Sequence, residues 1–221
     1  GYYYIKFYSY YTTELTGYSF TPSFTAAGVP NDPSTNDLYT QASLLALNDS
    51  VTGHIGYYHN SYDDLNDWWA VTVNLDGRLD FTITSLNSQN VYALLYDGDG
   101  TTILAGSYTT TTNTYSEDGL APGTYYILVK TFYPQEFAPY KLKNNLVLPP
   151  NTTESGISND FALNATNINL NDSINGHIGY RYNGNDDLRD WYKFTTTEDG
   201  HIFIKLDVFN GQNVFAQIFD G

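Results

Sequence analysis

The sequence contains no cysteine and no methionine. The first absence excludes disulfides, thiolate metal sites and cysteine nucleophiles. Positive charge is scarce as well: 9 Lys and Arg stand against 24 Asp and Glu, a net charge of −15. A chain this acidic repels phosphate backbones, so nucleic acid is a poor partner, whereas clustered acids suit calcium. No apolar run approaches the roughly 18 residues that a membrane span requires. No window sustains a helical period. No signal peptide is visible and the first residue is Gly1, which reads as a processed or cut piece of something longer. The G-x-S-x-G, H-E-x-x-H and paired-Cys patterns are lacking too, so no set of nucleophile, base and orienter points to an enzyme.

What is abundant is tyrosine, 22 of 221 residues, alongside Thr, Val and Ile, which suit strands. Asn, Asp and Gly supply turns between them. A hydrophobic content of 41% is enough for a packed core. These features predict an extracellular, all-β protein.

One stretch occurs twice. Residues 48–69 read NDSVTGHIGYYHNSYDDLNDWW, and from Asn171 the chain reads NDSINGHIGYRYNGNDDLRDWY, an offset of 123 residues (171 − 48). Residues 38–148 form one complete unit, with strands predicted near 38–47, 53–58, 68–75, 78–84, 90–97, 102–108, 113–118, 123–132 and 138–147. Arg78 to Thr84 alternates cleanly, with Leu79, Phe81 and Ile83 on one face. Residues 149–158 are a Pro-containing linker, and 159–221 restart the unit as far as the counterpart of Gly98. Residues 1–24 resemble 123–146: Tyr3 matches Tyr125, Ile5 matches Ile127, Glu14 matches Glu136 and Tyr18 matches Tyr140. They read as the last hairpin of a preceding or partner unit, joined by a 25–37 linker. Tyr3, Ile5 and Phe7 take the face that should meet a core.

Several polar and aromatic sets are candidates for function. Sequons at Asn48, Asn151, Asn164 and Asn171 are candidate glycosylation sites. Asp97 to Gly100 reads as a hairpin turn rather than a calcium loop, because no acid closes a twelve-residue loop. His54 and His177, in GHIGY of both copies, read as structural strand residues. Trp68 and Trp191 lie on the more polar strand face, where they seal the sandwich edge over the acidic loop or meet a sugar or partner chain. Tyr4, Tyr8 and Tyr10 form an outward row of the kind that marks interaction surfaces. Asn36, Asp37, Asp63, Asp64 and Asp67 gather acids around the linker end and the Trp strand, and the second copy repeats them as Asn159, Asp160, Asp186, Asp187 and Asp190. Such crowding needs a cation or hydrogen bonds to offset repulsion, and Asp in loops also makes Asx-turns.

Asp67 to Trp69 with Asp190 to Phe194, then Leu95 to Gly100, then Leu120 to Val129 stand in an order that resembles the bacterial and archaeal pre-peptidase C-terminal domain. The resemblance covers one complete and two partial copies. It implies tandem antiparallel jelly-roll-like β-sandwiches and an extracellular, non-catalytic accessory role. Relatives in bacterial collagenases bind collagen and hold calcium between a linker and the loop before the DWY-type strand. By that resemblance Asn36, Asp37, Asp64 and Asp67, and Asn159, Asp160, Asp187 and Asp190, would be calcium ligands. The extra acidic linker residues of those relatives are matched here only by Glu154.

Two functions follow as expectations. The first is a structural repeat protein of an extracellular fibre, filament or cell-surface stalk. Its sandwiches would be completed head to tail by subunits, or by neighbouring repeats of one chain. The second is a non-catalytic accessory module of a secreted hydrolase that grips glycan or protein through Trp and Tyr.

Overall fold

The computed structural model describes all residues except 1, 14, 27, 29–34, 60–61, 135, 150–158, 210 and 221. Among the described residues no helix is long and apolar enough to cross a membrane. The fold is all-β and built as a sandwich. One sheet orders β1 (Ser43–Leu44), β5 (Asn66–Val73), β10 (Gly123–Thr131), β7 (Val91–Tyr96) and β8 (Ile103–Thr109). The other orders β2 (Ser50–Ile55), β11 (Ala138–Val147), β6 (Gly77–Ser85) and β9 (Thr112–Leu120), and continues into β13 (Arg181–Tyr182) and β14 (Asn185–Asp186). A separate hairpin joins β3 (Tyr58–His59) to β4 (Tyr62–Asp63).

The alternation of β6 sets its two faces. Leu79, Phe81 and Ile83 are buried, while Thr82 and Thr84 meet Thr114 and Thr112 of β9 on the outer face, hydroxyl to hydroxyl, at 2.8 and 3.0 Å. Opposite them, Val71 and Val73 of β5 and Tyr125, Ile127 and Val129 of β10 close the core from the first sheet. Within it the Trp69 indole donates to the Tyr140 hydroxyl at 2.8 Å, and that hydroxyl donates to Asp67 Oδ2 at 2.5 Å. One phenol thereby serves both the indole and one oxygen of the buried carboxylate. The Tyr140 ring runs so close to Gly53 that a Cβ there would stand 2.5 Å from its hydroxyl oxygen.

Three expectations change. The strand predicted over 38–47 is a 3-10 turn at Tyr39–Gln41 followed by the two-residue β1. Beyond it Asn48 takes a left-handed φ of 63°, where Asn is tolerated, and β2 of the other sheet follows. The sheets are not purely antiparallel, since β1 runs parallel to β5, with Ser43 opposite Trp69. The strand read near 53–58 lies at 50–55; Gly56, at φ +79°, ends it, and the unpredicted β3–β4 hairpin follows.

The second copy is different. Among the described residues it forms β12 (Thr166–Asn167) parallel to β15 (Tyr192–Lys193), and the β13–β14 hairpin, and no other strands. These are the counterparts of β1–β5 and β3–β4. Described residues within 2–26 form no strand, although their alternation predicts one. A strand forms only against a neighbour that takes up its backbone hydrogen bonds. Tyr140→Phe should remove the phenol that serves Asp67 and Trp69 and cost about 1–3 kcal/mol, read by urea unfolding; an unchanged midpoint would contradict the role given to that hydroxyl.

Candidate functional site

The duplicated stretch folds into the same backbone frame in both copies. Trp68 N–H donates to the Asn36 carbonyl at 2.8 Å, and Trp191 N–H to the Asn159 carbonyl at 2.9 Å. Asp64 N–H donates to the Tyr57 carbonyl at 2.9 Å, and Asp187 N–H to the Tyr180 carbonyl at 2.7 Å. Gly56 and Gly179 return bonds to the carbonyls of Asp64 and Asp187. Linker end, acidic loop and strand start are therefore held together by main-chain bonds before any acid side chain acts.

The second frame is docked on the end of the first sandwich. Arg181 Nη2 donates to Glu117 Oε1 at 2.6 Å, and the Arg181 carbonyl accepts from Ala121 N–H at 2.9 Å and from the Tyr125 hydroxyl at 3.0 Å. Asn183 N–H donates to Asp97 Oδ1 at 2.9 Å. His177 Nε2 bonds Asp76 Oδ2 at 2.6 Å, with both side chains buried. The Tyr182 ring lies on Gly98 and Gly123, where a Cβ would come within 2.6 and 2.2 Å of it. His177, read from sequence as a strand residue, thus lies outside the strands and bridges the copies. Arg181 and Tyr182 escape a repeat-based reading because copy one has Tyr58 and His59 there. That difference was the available signal.

Behind this joint the acids converge. Asn159 and Asp187 are fully buried. Neither polar side-chain atom of Asn159, neither oxygen of Asp187, nor Oδ1 of Asp160 has a hydrogen-bond donor or acceptor from the protein. Burial pushes the Asp187 carboxyl up to about 8, with Asp190, Asp160 and Asp76 adding repulsion. A buried carboxylate such as Asp187 suits a hard cation; the residues around it that could hold calcium are Asn159 and the half-buried Asp160 and Asp190, the last of which accepts from the Tyr192 hydroxyl at 3.4 Å. Among the described residues no group of three or more acid or imidazole side chains is placed to hold a metal ion. In copy one Asp67 instead accepts from Tyr140, Asn36 is buried with its amide 3.5 Å from the Trp68 carbonyl, and Asp37 and Asp64 are half-buried.

The remaining candidates are placed as follows. Trp68 is half-buried, with its ring 4.9 Å from Tyr96 and 6.1 Å from Tyr39. Trp191 has Phe219, the counterpart of Tyr96, at 5.1 Å. Tyr4, Tyr8 and Tyr10 are exposed. Asp99 accepts from Thr101 N–H, Thr102 N–H and the Thr102 hydroxyl, which holds its carboxyl well below the usual range and makes Asp97 to Gly100 a turn. His54 is buried on β2 against Tyr57. Asn48, Asn164 and Asn171 are exposed; Asn48 Oδ1 accepts from Leu146 N–H at 2.7 Å, and Asn171 repeats its left-handed φ at 70°. Asn151 and Glu154 lie outside the described residues.

No family model matches the chain, and no curated protein does. Among solved structures it is similar to the pre-peptidase C-terminal domain of the collagenase from Bacillus anthracis. The identity is 15% and the TM-score 0.37, over 47% of this chain and 94% of that one. It is also similar to PliG of Aeromonas hydrophila, a periplasmic lysozyme inhibitor of g-type lysozyme. There the identity is 13% and the TM-score 0.32, over 48% of this chain and 97% of that one. The first of these is the domain type that the sequence motifs resemble.

Two outcomes test the joint. In a chelator, Asp187 should make it firmest in acid. An acid with a raised folded pKa contributes its stability in full below its ordinary value of about 4 and loses it as pH climbs toward about 8. Melting temperatures should step down from pH 4 to pH 8, and Asp187→Asn should flatten the trend; a flat or rising wild-type series would contradict this. Gly123→Ala should push Tyr182 away, so that amide exchange at Ala121 and Asn183 accelerates while the β6 core stays protected.

Proposed function

We propose that this protein is a non-catalytic structural repeat protein of an extracellular fibre, filament or surface stalk, in which each sandwich is completed by strands of a neighbouring repeat or subunit. The observation that carries this reading is the pairing in copy two. In the first sandwich β10 lies between β5 and β7, and β11 between β6 and β2. The counterparts of β10 and β11 lie outside residues 159–221. The strand pairs that copy two does form are those that need neither of them. Its core face stays open: Ile202 is 49% exposed, Ile204 47%, Leu206 49% and Ile218 56%, whereas Leu79, Phe81, Ile83 and Leu95 at the same positions are fully buried. An open core face with unpaired strand edges favours strand addition, and a head-to-tail addition that does not close grows into a filament.

The joint would keep successive sandwiches at a fixed angle, and a calcium ion held by Asn159, Asp160, Asp187 and Asp190 would lock it. Asn36, Asp37, Asp64 and Asp67 would do the same before the first sandwich. Glycans on exposed Asn48, Asn164 and Asn171 would coat such a fibre. The exposed row of Tyr4, Tyr8 and Tyr10 also supports a second reading, an accessory module that binds glycan or a fibrous protein.

Light scattering and electron microscopy of the purified chain test the first reading. Oligomers that lengthen with concentration are expected; monomers at every concentration would contradict it, and glycan or collagen binding lost in Trp68→Ala or Tyr8→Ala would then favour the second. Calcium should raise the melting temperature of the wild type and not of a D187N/D190N variant, and no shift in the wild type would sink the calcium assignment.

A further inference from the structure

We propose that the outer face of the sheet of β1, β5, β10, β7 and β8 binds a neutral polysaccharide chain, laid along β7 across two aromatic platforms, one around Trp68 and Tyr96 and the other around Tyr92 and Tyr108. This rests on the glycan form of the second reading above and gives it a place on the first sandwich; it does not depend on filament growth.

Alternation puts the rings there. Val91, Ala93 and Leu95 of β7 are buried in the core, so Tyr92, Leu94 and Tyr96 point outward. Strand pairing carries the aromatic row sideways, with Tyr96 opposite Tyr126 of β10 and Tyr92 opposite Tyr108 of β8. At one end the Trp68 ring lies 4.9 Å from Tyr96, and Tyr39, from the turn before β1, meets Tyr126 edge-on at 5.6 Å. At the other end Tyr92 has the Tyr108 ring at 5.6 Å and the Phe132 ring stacked at 5.6 Å. The two platforms are four residues apart on β7, about 13 Å at the usual strand rise. Between them the surface is low. Leu94 stands opposite Leu128 and Gly106, and Gly106 has no side chain to cover it. That residue sits at φ +114°, and a Cβ would stand 2.1 Å from the Ala93 carbonyl oxygen, so glycine is required.

The charges on this sheet narrow the choice of occupant. The one acid in its five strands is Asp67, which faces the core, and the one base is Lys130, whose Nζ lies 5.6 Å from the centre of the Tyr92 ring. Asp80, Lys141 and Lys143, by contrast, lie on the outer face of the other sheet. A face cleared of acid does not select a cation, and a chain of net charge −15 turns away polyanions, whether nucleic acids or uronate-rich glycans. An uncharged partner fits both conditions. Among the described residues none accepts a hydrogen bond from the hydroxyls of Tyr39, Tyr92, Tyr96 or Tyr126, or from the Trp68 indole N–H. A sugar suits such a surface, because its C–H face packs on a ring while its hydroxyls exchange hydrogen bonds with the phenol tips. An apolar protein surface would instead bury those tips without partners, which is costly.

Calorimetric titration of the full chain tests this, with cellohexaose, laminarihexaose, N-acetylchitohexaose and mannohexaose, the matching disaccharides, and polygalacturonate as a charged control. At least one neutral hexasaccharide should bind, about tenfold or more tighter than its disaccharide, because the longer chain reaches both platforms. Trp68→Ala and Tyr108→Ala, from opposite platforms, should each weaken the hexasaccharide by about tenfold or more and bring it down to the disaccharide level. Tyr108 is 56% exposed, so its variant keeps the test independent of folding, which the melting temperature checks. Hexasaccharide binding that survives both variants and is lost in Tyr8→Ala would overturn this inference and keep the glycan reading on the other tyrosine row. Equal affinity for disaccharide and hexasaccharide, or polygalacturonate bound as tightly as the neutral chains, would also overturn the inference alone. Collagen held through Tyr108 with no glycan bound would overturn it in favour of a protein partner. No binding to any glycan or to collagen would overturn the second reading and this inference together.

Discussion

A strand in the middle of a sheet answers for the backbone hydrogen bonds of both its neighbours, and here two such strands hold the sandwich together. β10 joins β5 to β7 in one sheet, and β11 joins β6 to β2 in the other. Apolar side chains reach the core only when these strands are in place, because pairing fixes which face of each strand points inward. In the first sandwich the condition is met and the core closes. In the second copy the same apolar alternation stands without those strands, and its isoleucines and leucine face solvent. One sequence pattern thus has two structural outcomes within one chain, and local pairing accounts for the difference.

The joint between the copies rests on a different kind of interaction. Main-chain bonds gather the linker end, the acidic loop and the Trp strand, and they do so identically in both copies. The side chains then differ. In copy one Tyr140 donates to one oxygen of Asp67. In copy two Asp187 and Asn159 are buried with no donor or acceptor from the protein, and Asp187 resists ionisation. Burying a carboxylate is costly, which is what raises Asp187. The frame is common to both copies, and the side chains on it differ.

Much of this was legible in the sequence. Alternation of Arg78 to Thr84 gave β6 and its inward face, and the 123-residue offset located the second frame. The matching of residues 1–24 to 123–146 predicts a strand that the described residues within 2–26 do not form. What escaped were features that depend on distant partners. The parallel β1 pairs with β5 about 26 residues later, and local pattern carries no sign of direction. The His177–Asp76 and Arg181–Glu117 bonds join residues 101 and 64 positions apart, so neither has a spacing that sequence reading can use. The need for Gly53 became visible only with the Tyr140 ring beside it.

The central claim is that copy two becomes a sandwich when strands from outside it arrive. Hydrogen exchange of residues 200–208 and 214–219, compared between dilute and concentrated protein, tests it most directly. The account predicts fast exchange in dilute solution and, on assembly, slowing to the level of their counterparts 77–85 and 91–96. Equal exchange of these amides in both states, whether fast or slow, would contradict it.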